Sequence, residues 1–293
     1  MVARVNRPRK QPHRRYAKPP LRGRRGIRTN RRMNNNKTGH RPAVKPGINP
    51  QGQGMTTSAG LRPVIDRPLK PGREQIEFTP GLRAELRAKL DAGLAEMHLK
   101  ASDKQKNQLI ESLAFLSEWN AVINLTAIRE PHAMLVQHVL DSLSVLHFIP
   151  KEATTLLDVG SGGGFPALPI AVMRPDLEVV SVDAVRKKTD YVNKAAEALG
   201  IGNLSAVHSR VEEHPVTYDV VICRAYASLK DFVTSAQGCV SPEEDALVLA
   251  MKGKFPDDEV AELAGTGWVV DRKRALTVPF LEAERCLLWL ERA

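Results

Sequence analysis

The chain has 293 residues, a formal net charge of +10 and a hydrophobic fraction of 42%. That is enough apolar material for one large domain or two small ones. No apolar run is long enough to span a membrane, and the polar start resembles neither a secretory signal nor a transit peptide. Three widely separated cysteines (Cys223, Cys239 and Cys286) fit neither a disulfide framework nor a zinc site. We therefore expect a cytoplasmic protein that makes no membrane contact.

The positive charge is concentrated at the front of the chain. Residues 1–80 hold 20 Lys and Arg against 3 Asp and Glu, whereas the remainder holds 23 against 30. Residues 1–45 alone contain 16 basic and no acidic side chains, and such a composition cannot bury enough apolar surface to fold. We expect residues 1–78 to form a disordered basic extension. It is either an arm that binds phosphate backbones, or a solubilising tail or overextended start, since Met33 and Met55 could each begin a shorter protein.

After this extension, apolar residues recur at helical spacing and predict three helices. Pro80 suits a first helical position, and Ser102 with Gln105 has the form of a capping box that opens the second helix. Pro131 begins the third, which carries Leu135, Val139, Leu143 and Leu146. The leucines that repeat every four residues on the first helix are Leu82, Leu86, Leu90 and Leu94. We expect residues 79–150 to form a helical part that packs on the following domain.

Beyond residue 150 the pattern changes to short apolar runs that alternate with helices. The strand-like runs are 155–159, 178–182, 204–207, 218–223, 246–251, 268–274 and 286–290. The helical stretches are 166–173, 186–199 and 228–237, with Gly200 where a C-cap is expected. No helix separates the last two runs, so the final strand should be antiparallel. Residues 151–293 are therefore predicted to form an α/β domain of Rossmann-like architecture, with a seven-stranded sheet.

A glycine-rich turn follows the first predicted strand. Asp158 stands directly ahead of Gly160, Gly162 and Gly164, and Asp183 ends the next strand, where an acid can bind ribose hydroxyls. A dinucleotide would also suit this spacing, but Phe165 occupies the position at which that motif has a third glycine or alanine. The turn is therefore more typical of an S-adenosylmethionine site, in which Asp158 helps to hold the cationic methionine end.

Several further motifs appear in a fixed order. They are EWNAVINLTAI (118–128), HVLDSLSVL (138–146), LLDVGSGGGFPALPIAV (156–172), HSRVEE (208–213), CRAYASL (223–229) and MKGKFP (251–256). Together they resemble the family of ribosomal RNA small subunit methyltransferase G, also known as glucose-inhibited division protein B, over about residues 105–292. The resemblance implies a class I methyltransferase with the cofactor S-adenosyl-L-methionine that methylates N7 of a guanine in 16S ribosomal RNA. The first 80 residues match nothing in this family.

The resemblance also implies roles for individual residues. Gly160 and Phe165 would lie at the cofactor loop, and Val211 and Glu212 beside the adenine. Arg224 would lie next to the methyl-donor pocket as the catalytic residue. The full expected cofactor set is Asp158, Gly160, Gly162, Gly164, Phe165, Asp183, Val211, Glu212 and Arg224, with no metal ligands. Ala167 departs from the glycine that the family often has, and its methyl group is expected to narrow the loop slightly.

Several of these assignments have a structural alternative. Asp158 and Asp183 could be ordinary acids at strand ends, and Glu212 could belong to a solvated helix start. Arg224 could be an ion-pair partner of Asp141 or Glu212, and His138 with Asp141 is interpreted as structural. Lys252 could meet RNA phosphate or solvent. Cys223 belongs to a buried run, so it is interpreted as packing rather than as the nucleophile that cytosine-C5 enzymes need.

The reaction is inferred from what the chain lacks. CRAYAS is not the Asp/Asn-Pro-Pro-aromatic turn of adenine-N6 enzymes. With no nucleophile and no obvious base, the target atom should already be nucleophilic, as guanine N7 is. The expected partner is 16S rRNA or the small ribosomal subunit, and the expected state is a monomer. The alternatives are action on another RNA, a protein or a small molecule, a non-catalytic RNA-binding assembly factor, or a nucleotide-dependent oxidoreductase.

Overall fold

A computed structural model describes residues 75–243 and 245–293. Apart from its end, the predicted basic extension lies outside these residues. None of the helices in the described part of the chain has the length and apolar content needed to cross a bilayer.

A single mixed sheet forms the centre of the described fold. Its strands are β1 (Thr155–Val159), β2 (Glu178–Asp183), β3 (Leu204–His208), β4 (Val220–Arg224), β5 (Leu247–Lys252), β6 (Trp268–Ala275) and β7 (Cys286–Arg292). Their order is β3-β2-β1-β4-β5-β7-β6. The first five are parallel, and β7 pairs antiparallel with both β5 and β6. The predicted Rossmann-like sheet with its antiparallel end is thus confirmed.

The first two helices of the described residues have caps that follow from the local sequence. They are α1 (Pro80–Glu96) and α2 (Asp103–Val122). Thr79 caps α1 by accepting from the Leu82 backbone N–H, and Pro80 occupies the first turn, where no N–H is needed. Ser102 and Gln105 form the reciprocal capping box that the sequence predicts.

The third helical segment is not a regular helix. It consists of α3 (Pro131–Met134), a π-helical stretch (Leu135–Leu140) and α4 (Asp141–Leu143). Each π turn contains an additional residue compared with an α turn, so side chains after it rotate relative to those before it. The simple periodicity of Leu135, Val139 and Leu143 predicted one helix but not this irregularity.

Further helices cover both faces of the sheet. They are α5 (Ala167–Met173), α6 (Arg186–Leu199), α7 (Leu229–Ala236) and α8 (Asp257–Ala261). Gly200 ends α6 in the left-handed conformation, as predicted. One apolar cluster joins the helices from α1 to α6 to one face of the sheet, and a second joins α7 to the other face. Helices cover both faces of the sheet, so a ligand is expected at the carboxyl ends of the strands.

Candidate active site

A cavity of about 510 Å³ lies at the carboxyl ends of β1, β4 and β5. One side is the glycine-rich loop after β1, from Gly160 to Phe165. The other side is formed by residues from α2, the loop 125–128 and the irregular helical segment. Arg224, Lys252 and Arg285 contribute cationic side chains to its lining. Of the residues proposed from the sequence, Gly160, Gly162, Phe165 and Arg224 line this cavity.

The glycine loop adopts backbone conformations that L side chains rarely adopt. Gly160, Gly162 and Gly164 have φ angles of 72°, 57° and 84°. A Cβ atom on Gly160 would lie 2.7 Å from Cδ2 of Tyr226, whereas one on Gly162 would meet no protein atom within 4 Å. The space beside Gly162 therefore belongs to the cavity, and a side chain there would fill it.

Asp183 supports this loop from the end of β2. Its Oδ2 accepts the Gly162 N–H at 3.2 Å and lies 3.5 Å from the Lys188 Nζ, while Oδ1 accepts the Val185 N–H at 2.8 Å. The carboxylate is only 8% exposed. It thus lies directly beside the loop but is not one of the residues that line the cavity.

Asp158 is deeper in the fold than the sequence suggested. It is fully buried, its Oδ2 accepts the Ala167 N–H at 3.1 Å, and its Oδ1 has no hydrogen-bond partner among the described residues. Burial raises the pKa of this carboxyl to about 7, although the Ala167 N–H and Arg224 oppose the rise. Asp158 therefore fixes the start of α5 behind the loop.

Ala167 lies inside the fold. It is fully buried at the start of α5 and is not one of the residues that line the cavity, so the expected narrowing of the loop stays a prediction. Gly164 is similarly internal, since a Cβ atom there would lie 3.2 Å from Cγ2 of Val192.

Val211 and Glu212 lie farther along the same end of the sheet. They belong to a short 3-10 turn (Val211–Glu213) after β3, in which Val211 is buried and Glu212 is exposed. Neither lines the cavity. The structure places them near the end of β2, because β3 pairs with β2 up to Asp183 and His208.

Two arginines converge on one buried carboxylate at the cavity. Arg224 donates from Nη1 to Oδ2 of Asp141 at 2.8 Å, and Arg285 donates from Nε to Oδ1 at 2.8 Å. Asp141 has a side chain that is only 4% exposed. Arg224 is thus both the ion-pair partner of Asp141 and a residue that lines the cavity, so the two interpretations do not exclude each other.

The π-helical stretch explains how Arg224 is held. Nη1 of Arg224 also donates to the backbone carbonyl of Gln137 at 2.8 Å. The wide turn presents this carbonyl and the Asp141 carboxylate to the same nitrogen. Single π turns occur frequently at functional sites, and here the irregularity orients a cation.

His138 lies between the helical segment and the glycine loop. Its ring stacks on Phe165 with centroids 4.7 Å apart, and its Nε2 lies 2.9 Å from Oγ1 of Thr126. Burial, and then the charge of Arg224, lowers the pKa of His138 to about 3, so the ring is neutral at physiological pH. His138 and Asp141 both line the cavity, which a purely structural interpretation did not anticipate.

Sequence reasoning therefore missed one side of the cavity. The polar residues that it left out or assigned to packing there are Thr126, Gln137, His138, Asp141 and Arg285. The spacing of His138 and Asp141 was a weak signal. Arg285 gave none, because a lone arginine before a strand is common. Lys252 does line the cavity, but its Nζ already donates to Glu259 at 2.7 Å and to the Ala227 carbonyl at 3.1 Å.

Comparison with known proteins shows the family to which this chain belongs. A family model described as rRNA small subunit methyltransferase G matches residues 105–288. A ribosomal RNA small subunit methyltransferase G from Bordetella pertussis is 45% identical over 207 residues, which cover 67% of this chain and 89% of that protein. The Bordetella petrii enzyme of the same name is 43% identical over 217 residues, covering 72% and 84%. The chain belongs to the rRNA small subunit methyltransferase G family.

Membership in this family confirms the resemblance noted in the sequence. It also confirms the expected class of enzyme, a methyltransferase, and the expected cofactor, S-adenosylmethionine. The matched range runs from α2 into β7, so it contains every segment that contributes to the cavity.

Proposed function

We propose that this chain transfers a methyl group from S-adenosylmethionine to N7 of a guanine in 16S ribosomal RNA. The observation that carries the proposal is the family match across residues 105–288, which includes the whole cavity. The relatives that bear the name ribosomal RNA small subunit methyltransferase G align over most of their own length. The substrate is therefore assigned as the small subunit or its RNA.

The residues at the cavity fit the cofactor. Gly162 leaves open space that a Cβ atom would fill, and Oδ1 of Asp158 is a buried polar atom behind the loop with no partner among the described residues. Asp183 accepts three interactions and a carboxylate has about four acceptor sites, so it can still accept from a ribose hydroxyl. The residues proposed to hold the cofactor are Asp158, Gly160, Gly162, Gly164, Phe165, Asp183, Val211, Glu212 and Arg224. When bound, S-adenosylmethionine supplies an electrophilic methyl group.

The side chains at the cavity suit a target that needs no deprotonation. Neutral His138 has a pKa of about 3 and is a weak base, and Asp141 is held by two arginines. Cys223 is fully buried, and burial raises the pKa of its thiol well above its usual range, so no thiolate is available there. Guanine N7 carries a lone pair in the ring plane and is already nucleophilic, which matches this set of residues.

Arg224 is proposed to orient the guanine without covering N7. An arginine usually binds O6 and N7 of guanine together, but a donor on N7 would occupy the attacking lone pair. Nη1 of Arg224 is already committed to Asp141 and Gln137, which leaves fewer donors to bind a base. We assign the remaining donors to O6, the cofactor or a phosphate, where positive charge complements an oxygen.

The remaining assignments belong to the same proposal. The enzyme would act as a cytoplasmic monomer, with residues 79–150 as the helical part and 151–293 as the cofactor-binding domain. The alignment of N7, methyl carbon and sulfur would then be fixed by the cavity walls, and alignment of this kind supplies much of the rate in such transfers.

The test is methylation of small ribosomal subunits purified from cells that lack this gene. With labelled S-adenosylmethionine, the protein should introduce label into 16S rRNA, and borohydride-aniline cleavage should locate it at an N7-methylguanine. Label in another nucleotide, or in ribosomal protein only, would refute the assignment of the target. Absence of label with naked 16S rRNA, subunits and assembly intermediates alike would refute the activity.

A further inference from the structure

The outer edge of the sheet carries a cluster of cations that the cavity does not explain. Arg272, Lys273 and Arg274 are consecutive and exposed on β6, the last strand of the sheet. We refer to these three residues as the edge cluster. The edge cluster belongs to a described part of the chain that is otherwise more acidic than basic.

The edge cluster lies at the same end of the sheet as the cavity. β6 pairs antiparallel with β7, so Arg274 lies opposite Leu287, and the backbone N–H of Leu276 donates to the carbonyl of Arg285. Arg285 lines the cavity and binds Asp141. Because side chains two residues apart point to the same side of a strand, Arg272 and Arg274 continue along the face on which Arg285 lies. These two arginines therefore lead outward from the cavity, while Lys273 points to the other face of the same strand.

Aromatic rings hold two of these cations at the surface. The guanidinium of Arg272 lies 5.1 Å from the ring centroid of Trp289, and the Nζ of Lys273 lies 3.9 Å from that of Phe255. Contact with a ring face leaves the N–H groups available for an anion. Asp271 is 3.7 Å from Arg272, but both side chains are well exposed, so this pair contributes little. Arg274 has no ion pair within the described ranges.

The usual reason for charges on an edge strand does not account for their position. Cations and bulges on such strands prevent pairing with other chains, and β6 has a register shift between Val270 and Arg272. However, the amino-terminal part of β6, from Trp268 to Val270, carries no charged side chain, although Val269 there is 40% exposed. Protection would be needed along that part as well. The charges are instead confined to the part beside the cavity.

We infer that the edge cluster is a contact surface for the phosphate backbone of the RNA that presents its base to the cavity. This inference rests on the proposed function. Three adjacent cations match a polyanion in charge, and phosphate contacts fix position without reading sequence. The edge cluster would thus hold the strand that flanks the target nucleotide, while the cavity holds the nucleotide itself.

The test compares two variants of the full chain with the same loss of charge. The first is Arg272→Gln, Lys273→Gln and Arg274→Gln. The control is Lys100→Gln, Lys104→Gln and Lys151→Gln, which removes three exposed lysines near the amino ends of the strands. That location follows because Gln105, next to Lys104, bonds to the last carbonyls of α5. Binding to unmethylated small ribosomal subunits is measured at several KCl concentrations.

The edge variant should bind on the order of tenfold more weakly, and its slope of log affinity against log salt should fall by about two. The control variant should keep the wild-type slope. Equal losses in both variants would mean that only total charge matters, and the inference would be wrong. It would also be wrong if the edge variant self-associated yet bound subunits normally, since the charges would then protect the edge. Thermal unfolding checks the fold, and Arg274→Gln alone, with a smaller loss expected, replaces the triple variant if that fails to fold.

A second readout separates this inference from the proposed function. Calorimetry with S-adenosylhomocysteine should give the same affinity for wild type and edge variant, because the edge cluster does not line the cavity. If the wild type methylates 16S rRNA while the edge variant binds like wild type, only the edge cluster assignment fails. If no RNA is methylated but the edge variant loses binding, the proposed reaction fails and the contact surface stands.

Discussion

The two sides of the cavity are built in different ways. The glycine-loop side consists of consecutive residues, from Gly160 to Phe165, whose backbone conformations create the space. The helical side brings together Thr126, His138, Asp141 and the two arginines from segments far apart in the chain, and ion pairs and a π turn position them. The glycine-loop side is a property of one short segment, whereas the helical side exists only when the chain has folded.

This difference separates two tasks. Backbone geometry at the glycine loop suits a ligand that is the same in every turnover, because little there depends on side-chain conformation. The helical side presents charges whose donors remain partly free, which suits a substrate that must be oriented and released. Substitutions on the two sides should therefore separate cofactor binding from methyl transfer.

The largest effect is expected for Arg224→Ala. Removing this donor should reduce methyl transfer roughly a hundredfold or more, while the affinity for S-adenosylhomocysteine changes by no more than a few-fold. Asp141 keeps Arg285 as a partner, so the buried carboxylate is not left unpaired. Single-turnover transfer to small subunits measures the first quantity and calorimetry the second.

A matched control is Arg174→Ala. Arg174 bonds to Asp176 and to backbone carbonyls such as those of Pro150 and Lys151, ahead of β1. Its loss should lower stability without slowing methyl transfer. Normal transfer in the Arg224 variant would remove Arg224 from the reaction and leave it a purely structural ion pair.

The sequence predicted the glycine-loop side of the cavity better than the helical side, because only the first consists of consecutive residues. Alternating apolar runs determined the strands to within two residues, and the glycines with Asp158 and Asp183 marked the loop, because both signals are local. Asp141 lies 83 positions from Arg224 and 144 positions from Arg285 in the sequence, yet both arginines bind it. Spacing along one sequence carries no information about such contacts. The π turn was also invisible, since its apolar residues fit an ordinary helix.

A second effect concerns the buried carboxyl behind the glycine loop. The pKa of Asp158 is raised from 3.8 to about 7, because burial favours the neutral form. Between pH 5 and 7 the folded state keeps a proton that the unfolded chain has lost, so stability should fall as pH rises. The expected loss is about 2 kcal/mol over that window, at about 1.4 kcal/mol per pH unit while the full proton difference persists. Asp158→Asn should abolish this part of the pH dependence.

Asp219→Asn is the control, because the pKa of Asp219 is shifted in the opposite direction from that of Asp158. Hydrogen bonds from Thr154 and Thr155 hold the pKa of Asp219 below its usual range, so its contribution is present above that range and is lost as pH falls. Denaturant unfolding of the protein without ligand at several pH values compares the two variants. A wild-type profile that runs parallel to the Asp158 variant from pH 5 to 7 would contradict the assigned ionisation.

A smaller effect is expected at the glycine loop itself. Gly162 and Gly200 both have positive φ and open space around the position of a Cβ atom, so alanine at either site costs about 1 kcal/mol of stability. Only Gly162 lines the cavity. Gly162→Ala should therefore weaken S-adenosylhomocysteine binding by about tenfold, since an added methyl group excludes ligand atoms. Calorimetry of both variants tests this, and equal affinities would show that the ligand does not approach Gly162.

The smallest effect at physiological salt is expected for removal of residues 1–54, so that the chain starts at Met55. This segment lies outside the described residues, but it carries 16 basic and no acidic side chains in its first 45 positions. If it binds phosphates, its removal should weaken binding to small subunits a few-fold and flatten the salt dependence. If it is a solubilising tail, solubility should fall while the slope of log affinity against log salt stays the same.

Combining the deletion with the edge variant distinguishes separate contacts from shared ones. Effects on log affinity that add would place the two cationic regions on different phosphates, whereas a deletion without effect in the edge variant would mean that they act on the same ones.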